Sequence, residues 1–160
     1  MKIDLRSDTV TIPTPEMLEA MLSAKVGDDV FDEDPTVKIL EKRLADMFGK
    51  PRALFFPSGS MANQTAIKLH TYPGEQVICD KYAHIYNYEA GGVSFNSGVS
   101  CNLIDGKRGM FTAKQVEEAI NPSAFYYSQT RLVEVENTTN KGGGACWDFE
   151  ELKKIKKVCD

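Results

Sequence analysis

The stretch Ala53-Leu54-Phe55-Phe56-Pro57-Ser58-Gly59-Ser60-Met61-Ala62-Asn63 decides how this chain is to be read. Four apolar residues form a strand-like run, Pro57 to Ser60 break it, and Met61 to His70 have helical composition until Pro73-Gly74 ends the segment. The order is strand, polar turn, helix. A glycine-containing turn at a helix mouth presents unpaired backbone amides to an anion, and the hydroxyls of Ser58 and Ser60 can add hydrogen bonds to phosphate oxygens. An ordinary capped helix has the same appearance, because serine is common at N-caps, so local chemistry leaves both readings open. The turn lacks the Gly-Lys-Ser/Thr ending of a Walker loop, and no G-x-G-x-x-G occurs, which disfavours nucleotide binding.

Outward from this turn, two periodicities alternate. Upstream, Asp34-Pro35 reads as an N-cap with proline at the first helical position, and Val37, Leu40, Leu44 and Met47 then recur at helical spacing until Gly49 and Pro51. Downstream, Val77-Ile78-Cys79, Ser100 to Ile104 and Leu132 to Val135 read as strands, with a helix over Thr112 to Ile120 between the last two. Asp148 and Glu151 have capping-box spacing ahead of an apolar stripe at Phe149, Leu152, Ile155 and Val158. Strands alternating with helices predict an α/β fold with a mostly parallel sheet flanked by helices. The final helix reaches Cys159-Asp160 with no glycine cap and no following strand, which predicts a sheet continued beyond this sequence. Such an incomplete sheet is expected to make the chain alone marginally stable or prone to associate. Gly142-Gly143-Gly144 reads as a plain flexible loop.

At 160 residues the chain can bury a real core. A net charge of −4 gives no reason to expect nucleic acid as a partner. Four cysteines, Cys79, Cys101, Cys146 and Cys159, form no C-x-x-C pair and are expected as reduced, buried thiols. No apolar stretch approaches the ~18 residues of a membrane span, and the start MKIDLRSD is charged where a signal peptide needs its apolar core. A soluble cytoplasmic protein that binds no membrane is the expectation.

Only two histidines occur. His70 ends the helix behind the turn and is expected as a cap or a solvent-facing residue. His84 lies in a polar and aromatic stretch, Asp80 to Gly92, directly after a strand, where sheet enzymes place site residues. An imidazole there could stack on a flat cofactor or move a proton; a structural histidine remains the alternative. Asp28, Asp29, Asp32, Glu33 and Asp34 lack the spacing of a calcium loop and read as a solvated or interface segment. No H-E-x-x-H, zinc ligand set or G-x-S-x-G elbow is present, so no metal is expected and a serine or cysteine hydrolase is disfavoured.

Five ordered blocks resemble the threonine aldolases, within the aromatic amino acid beta-eliminating lyase group and the aspartate aminotransferase-like fold. They are Leu5 to Thr11, Gly27 to Thr36, the Ser58-Gly59-Ser60 turn, the His84 segment, and Glu136-Asn137-Thr138-Thr139-Asn140. The resemblance implies pyridoxal 5'-phosphate as cofactor and an amino acid as substrate. It implies that Ser58, Gly59 and Ser60 bind the cofactor phosphate, with Asn63 following on the same helix. His84 would stack on the ring and assist proton movement, Ser7 would lie near the substrate carboxylate, and Asn137 would lie on a strand facing the cofactor. The whole chain corresponds to a single, incomplete large domain, with 1–35 as an arm and interface segment and 36–160 as the α/β part.

The sequence departs from the family at three places. Ser60 stands where threonine is frequent, Phe31-Asp32 where tyrosine-glycine is frequent, and Thr139 where many members have histidine. The family's pyridine-nitrogen aspartate, carboxylate-binding arginine and Schiff-base lysine have no counterpart in these 160 residues. Lys68, Lys153, Lys154, Lys156 and Lys157 are expected as solvated charges rather than substitutes. In the full-length enzyme the implied reaction is cleavage of threonine or a related β-hydroxy amino acid to glycine and an aldehyde, in a homodimer or homotetramer. A related lyase or racemase on the same cofactor, or an inert fragment, are the alternatives.

Overall fold

A computed structural model describes residues 3–160, so Met1 and Lys2 of the charged start lie outside the described residues. The chain divides into two units, one ending at Phe55 and the other running from Phe56 to Asp160.

Among its described residues the first unit contains two α-helices, α1 (Pro15–Ser23) and α2 (Pro35–Phe48), each opened by a capping side chain and a proline. Thr14 accepts from the Met17 amide at 3.3 Å. Asp34 accepts from the Thr36 and Val37 amides, both at 2.9 Å, and so caps α2. Gly49 ends α2 in the left-handed region at φ 60°. The expected stripe on α2 is present in sequence but uncovered among the described residues: Leu40, Leu44 and Met47 are exposed, and Ala45 is the buried residue. Asp32 adopts φ 57° and pairs with Lys38 at 2.9 Å. That backbone conformation suits the glycine frequent here among threonine aldolases.

The expected strand over Ala53 to Phe56 does not form. The Phe55 amide donates to Glu41 Oε1 at 2.7 Å, a side-chain bond in place of a ladder bond.

The second unit is a three-stranded, wholly parallel sheet of order β2-β1-β3, with β1 Gln76–Asp80, β2 Ser100–Ile104 and β3 Thr130–Val133. Five helices flank it: α3 (Gly59–His70), α4 (His84–Asn87), α5 (Gly92–Ser97), α6 (Ala113–Ala119) and α7 (Phe149–Cys159). Successive strand residues point to opposite faces, and β1 separates two cores on that rule. Val77 and Cys79 pack with Ile67, Ala83, Ile85, Val93 and Val99 beside α3, α4 and α5. Ile78 packs with Ile104, Phe111, Val116 and Ile155 beside α6 and α7. The central strand is buried on both faces, as a parallel sheet requires.

Four details differ from the sequence reading. β3 ends at Val133 rather than Val135, because pairing with β1 ends at Ile78↔Val133. Asp148 caps α7 through the Glu150 amide at 2.9 Å, while Glu151 completes no capping box; its carboxylate takes the Ala113 amide at 2.8 Å and so ties α7 to the start of α6. The glycine run is a packed turn: a Cβ at Gly142 would lie 2.0 Å from the Arg108 carbonyl oxygen, and Thr139 pairs with Ala145 through an isolated bridge. All four cysteines are free, but only Cys79 is buried; Cys146 and Cys159 are exposed because they lie on a loop and at a helix end rather than in the sheet.

Candidate functional site

The mouth of α3 is built by Ser58. Its extended backbone (φ −150°, ψ 150°) stops the chain short of the helix, its hydroxyl accepts from the Met61 amide at 3.2 Å, and its carbonyl accepts from Ala62 at 3.2 Å. The amides of Gly59 and Ser60 are left with no acceptor in the helix. A Cβ built on Gly59 would meet no atom within 4 Å, so the backbone is uncrowded on that side of the glycine. Gly59 sits in ordinary helical geometry; its use here is access rather than a special backbone angle.

His84 is carried to the same unit by the end of β1. Asp80, buried at the strand end, accepts from the amides of Tyr82 at 2.8 Å and Gly106 at 2.9 Å, which turns the chain into α4. His84 opens that helix. Its backbone amide donates to Glu136 Oε2 at 2.7 Å, and its Nδ1 lies 2.8 Å from Glu89 Oε1. The ring contacts that of Tyr88, centroids 5.5 Å apart at 46°.

Glu89 is the residue that sequence reasoning missed. Its side chain is fully buried, and three polar side chains converge on it: Asn63 and His84 on Oε1, each at 2.8 Å, and Gln64 on Oε2 at 2.6 Å. Burial alone raises this carboxyl, but the bonds from Asn63, Gln64 and His84 outweigh it and hold the group below the usual glutamate value. A tight turn follows, with Ala90 and Gly91 both at positive φ, and Gly92 approaches α3 so closely that a Cβ would lie 2.6 Å from Gln64 Cδ. The sequence signal was an acidic residue between an aromatic and a Gly-Gly pair, five positions after the histidine.

The other expected site residues fall as follows. Ser60 and Glu89 line an open cleft of about 740 Å³ along α3, together with Gln64, Lys68 and Phe95; His84 is not among its walls. Asn137 is not on a strand. It lies past the end of β3, and its side-chain oxygen accepts from the Trp147 amide at 3.2 Å, because the ladder with β1 has already ended. Ser7 belongs to the first unit, where its hydroxyl accepts from Thr9 Oγ1 at 2.9 Å. Thr139 is fully buried and donates to the Glu136 carbonyl at 3.0 Å, against Gly109 and Gly142. His70 is exposed at the end of α3, as expected. Among the five lysines, Lys68 donates to the Asn96 carbonyl, and Lys153 and Lys154 pair with Glu150 and Glu151 on the surface of α7. No group of three metal-ligating side chains occurs among the described residues.

This arrangement fits a phosphate-bearing planar group: first-turn amides with no acceptor inside their helix, at an uncrowded glycine, and a half-exposed imidazole joined to the same helix through Glu89. Residues 4–160 match the family model for beta-eliminating lyases. The chain is 41% identical over 160 residues to low-specificity L-threonine aldolase 1 of Arabidopsis thaliana, covering 98% of this chain and 45% of that protein. It is 42% identical over 139 residues to the low specificity L-threonine aldolase of Escherichia coli K12, covering 86% and 42%. A threonine aldolase structure from Leishmania major superposes with a TM-score of 0.74 at 22% identity, over 90% of this chain and 41% of that one. The chain therefore spans less than half the length of each of these relatives.

Proposed function

This chain belongs to the beta-eliminating lyase family, and on that basis we propose that the whole protein cleaves threonine or a related β-hydroxy amino acid to glycine and an aldehyde with pyridoxal 5'-phosphate. The observation that carries the reading is the shared carboxylate. Asn63, on the helix that follows the Ser58-Gly59-Ser60 turn, and His84, after β1, meet one oxygen of Glu89, which ties the imidazole to the helix proposed to hold the phosphate.

The cofactor, when bound, supplies the electron sink for the pair released on the α carbon as the bond to the β carbon breaks. The chain's own residues do the rest. The amides of Gly59 and Ser60, with the Ser60 hydroxyl, would hold the phosphate at the positive end of α3. On the family resemblance His84 would stack on the ring and take the β-hydroxyl proton, a role that an imidazole can fill as general base. Ser7 is assigned to the substrate carboxylate on the family resemblance. Asn137 is assigned to the cofactor side on the same ground, with its bond to Trp147 holding the loop it stands on. A homodimer or homotetramer is the assembly that the resemblance supports.

The test uses the full-length protein loaded with cofactor. Glycine and aldehyde release from threonine is expected; pyruvate release or inversion of configuration in its place would reassign the reaction. His84→Ala is expected to slow cleavage by about 100-fold or more and to shift the cofactor absorbance band. Unchanged kinetics and spectrum in that variant would remove His84 from the site.

A further inference from the structure

Glu89 is a buried charge, and a buried carboxylate is costly unless every one of its acceptor sites is used. Here the uses are specific. A carboxylate only accepts, so the nitrogen of His84 that faces it must carry a proton. Nδ1 lies 2.8 Å from Glu89 Oε1, which makes Nδ1 the protonated nitrogen and leaves Nε2 as the one with a lone pair. The other two donors come from consecutive residues of α3, Asn63 to Oε1 and Gln64 to Oε2 at 2.6 Å, so the carboxylate is braced from the helix whose mouth holds the phosphate in the reading above. The brace has its own backbone support: the positive φ of Ala90 and Gly91 returns the chain toward α3, and the absence of a Cβ at Gly92 leaves room for Gln64. A left-handed alanine costs roughly 1 kcal/mol and persists only where its surroundings impose it.

We propose that Glu89 is a positioning residue for His84, fixing the imidazole as its Nδ1–H tautomer so that Nε2 is the nitrogen that exchanges protons with the substrate hydroxyl. The inference rests on the functional reading above. In the step, the β-hydroxyl oxygen gives its proton to Nε2 and keeps the electron pair that becomes the aldehyde carbonyl. Nδ1–H stays bonded to Glu89 throughout, and the carboxylate remains ionised while it stabilises the imidazolium. Glu89 is assigned to act through His84 and not on the substrate itself, as a buried carboxylate orients a histidine in other base-catalysed sites.

The experiment compares wild type, Glu89→Ala and Glu89→Gln as full-length proteins, first stripped of cofactor and then reloaded. In the stripped proteins, nitrogen-15 spectra of labelled histidine read the tautomer directly. His84 should show the Nδ1–H form in wild type and in Glu89→Gln, whose amide oxygen can still accept, and should change to the Nε2–H form or a mixture in Glu89→Ala. In the reloaded proteins, kcat should fall by about 100-fold in Glu89→Ala and by about 10-fold in Glu89→Gln, with KM changed by less than about threefold. A His84 signal that Glu89→Ala leaves unmoved overturns the proposal, and so does a Glu89→Ala protein as active as Glu89→Gln. Should Glu89→Ala not fold, Glu89→Asp, with its carboxylate drawn back by one methylene, is read by the same tautomer signal. The stripped-protein spectrum does not depend on the cofactor reading. Failure of that reading appears instead as unaltered cleavage and absorbance in His84→Ala.

Discussion

Asn63 and His84 donate to the same oxygen atom, Glu89 Oε1, each at 2.8 Å, although one lies on the first turns of α3 and the other opens α4 beyond β1. The two halves of the candidate site are thus mechanically joined at one buried atom.

Removing one arm of that junction should be felt at the other. Asn63→Ala leaves the carboxylate short of one donor in a buried setting, and a loss of about 1–2 kcal/mol in stability is expected. Cofactor affinity, measured by fluorescence titration of the full-length protein, should weaken several-fold. Unaltered affinity alongside the stability loss would separate Asn63 from ligand binding.

Gly92 controls the approach of α5 to α3. In Gly92→Ala the new methyl would begin 2.6 Å from Gln64 Cδ, and Gln64 cannot swing aside without giving up its 2.6 Å bond to Glu89. A destabilisation of about 1–3 kcal/mol is expected from overpacking, read as a lower urea midpoint.

Glu134 should make stability depend on pH. Its Oε2 is buried without a hydrogen-bond partner, and burial, followed by the carboxylates of Glu136, Glu89 and Asp80, pushes it up to about 7 from 4.5. Between those values the folded chain retains a proton that the unfolded chain has released, so stability falls as pH rises through the window and levels off above it. The full effect is on the order of 3 kcal/mol. In Glu134→Gln the urea midpoint should lose this slope between pH 5 and 7, and above pH 7 the variant should be the more stable protein.

Ile78 is fully buried at the centre of β1, on the face toward α6 and α7. Ile78→Ala should cost about 2–5 kcal/mol. Because its neighbours Val77 and Cys79 belong to the other face, the tautomer signal of His84 should survive at denaturant levels where the variant is still folded.

The elements that sequence made legible are those whose signals are local. Asp34, Ser58 and Thr112 each cap the helix they precede, and the strand over Ser100–Ile104 appears where its apolar run stands. Ala53 to Phe56 has strand composition but no partner strand, a fact that no local pattern carries. Glu151 had the spacing of a capping box and was drawn away by the Ala113 amide from a distant part of the chain. Glu89 was hidden for the same reason: a glutamate that closely follows Tyr82, Tyr86 and Tyr88 looks solvated until Asn63, Gln64 and His84 are brought around it. Asn137 was placed by resemblance on a strand that ends earlier, at Val133.

His84 is restrained twice, by Glu136 at its backbone amide and by Glu89 at its ring. Its rotational freedom is therefore surrendered when the chain folds, and an arriving ligand does not have to quiet a mobile side chain. Ordering such a group on association ordinarily removes roughly 0.5–1.5 kcal/mol from affinity. If His84 contacts the ligand as proposed, that portion of the binding energy stays available for capture, at the expense of an imidazole unable to adapt to ligands of a different shape.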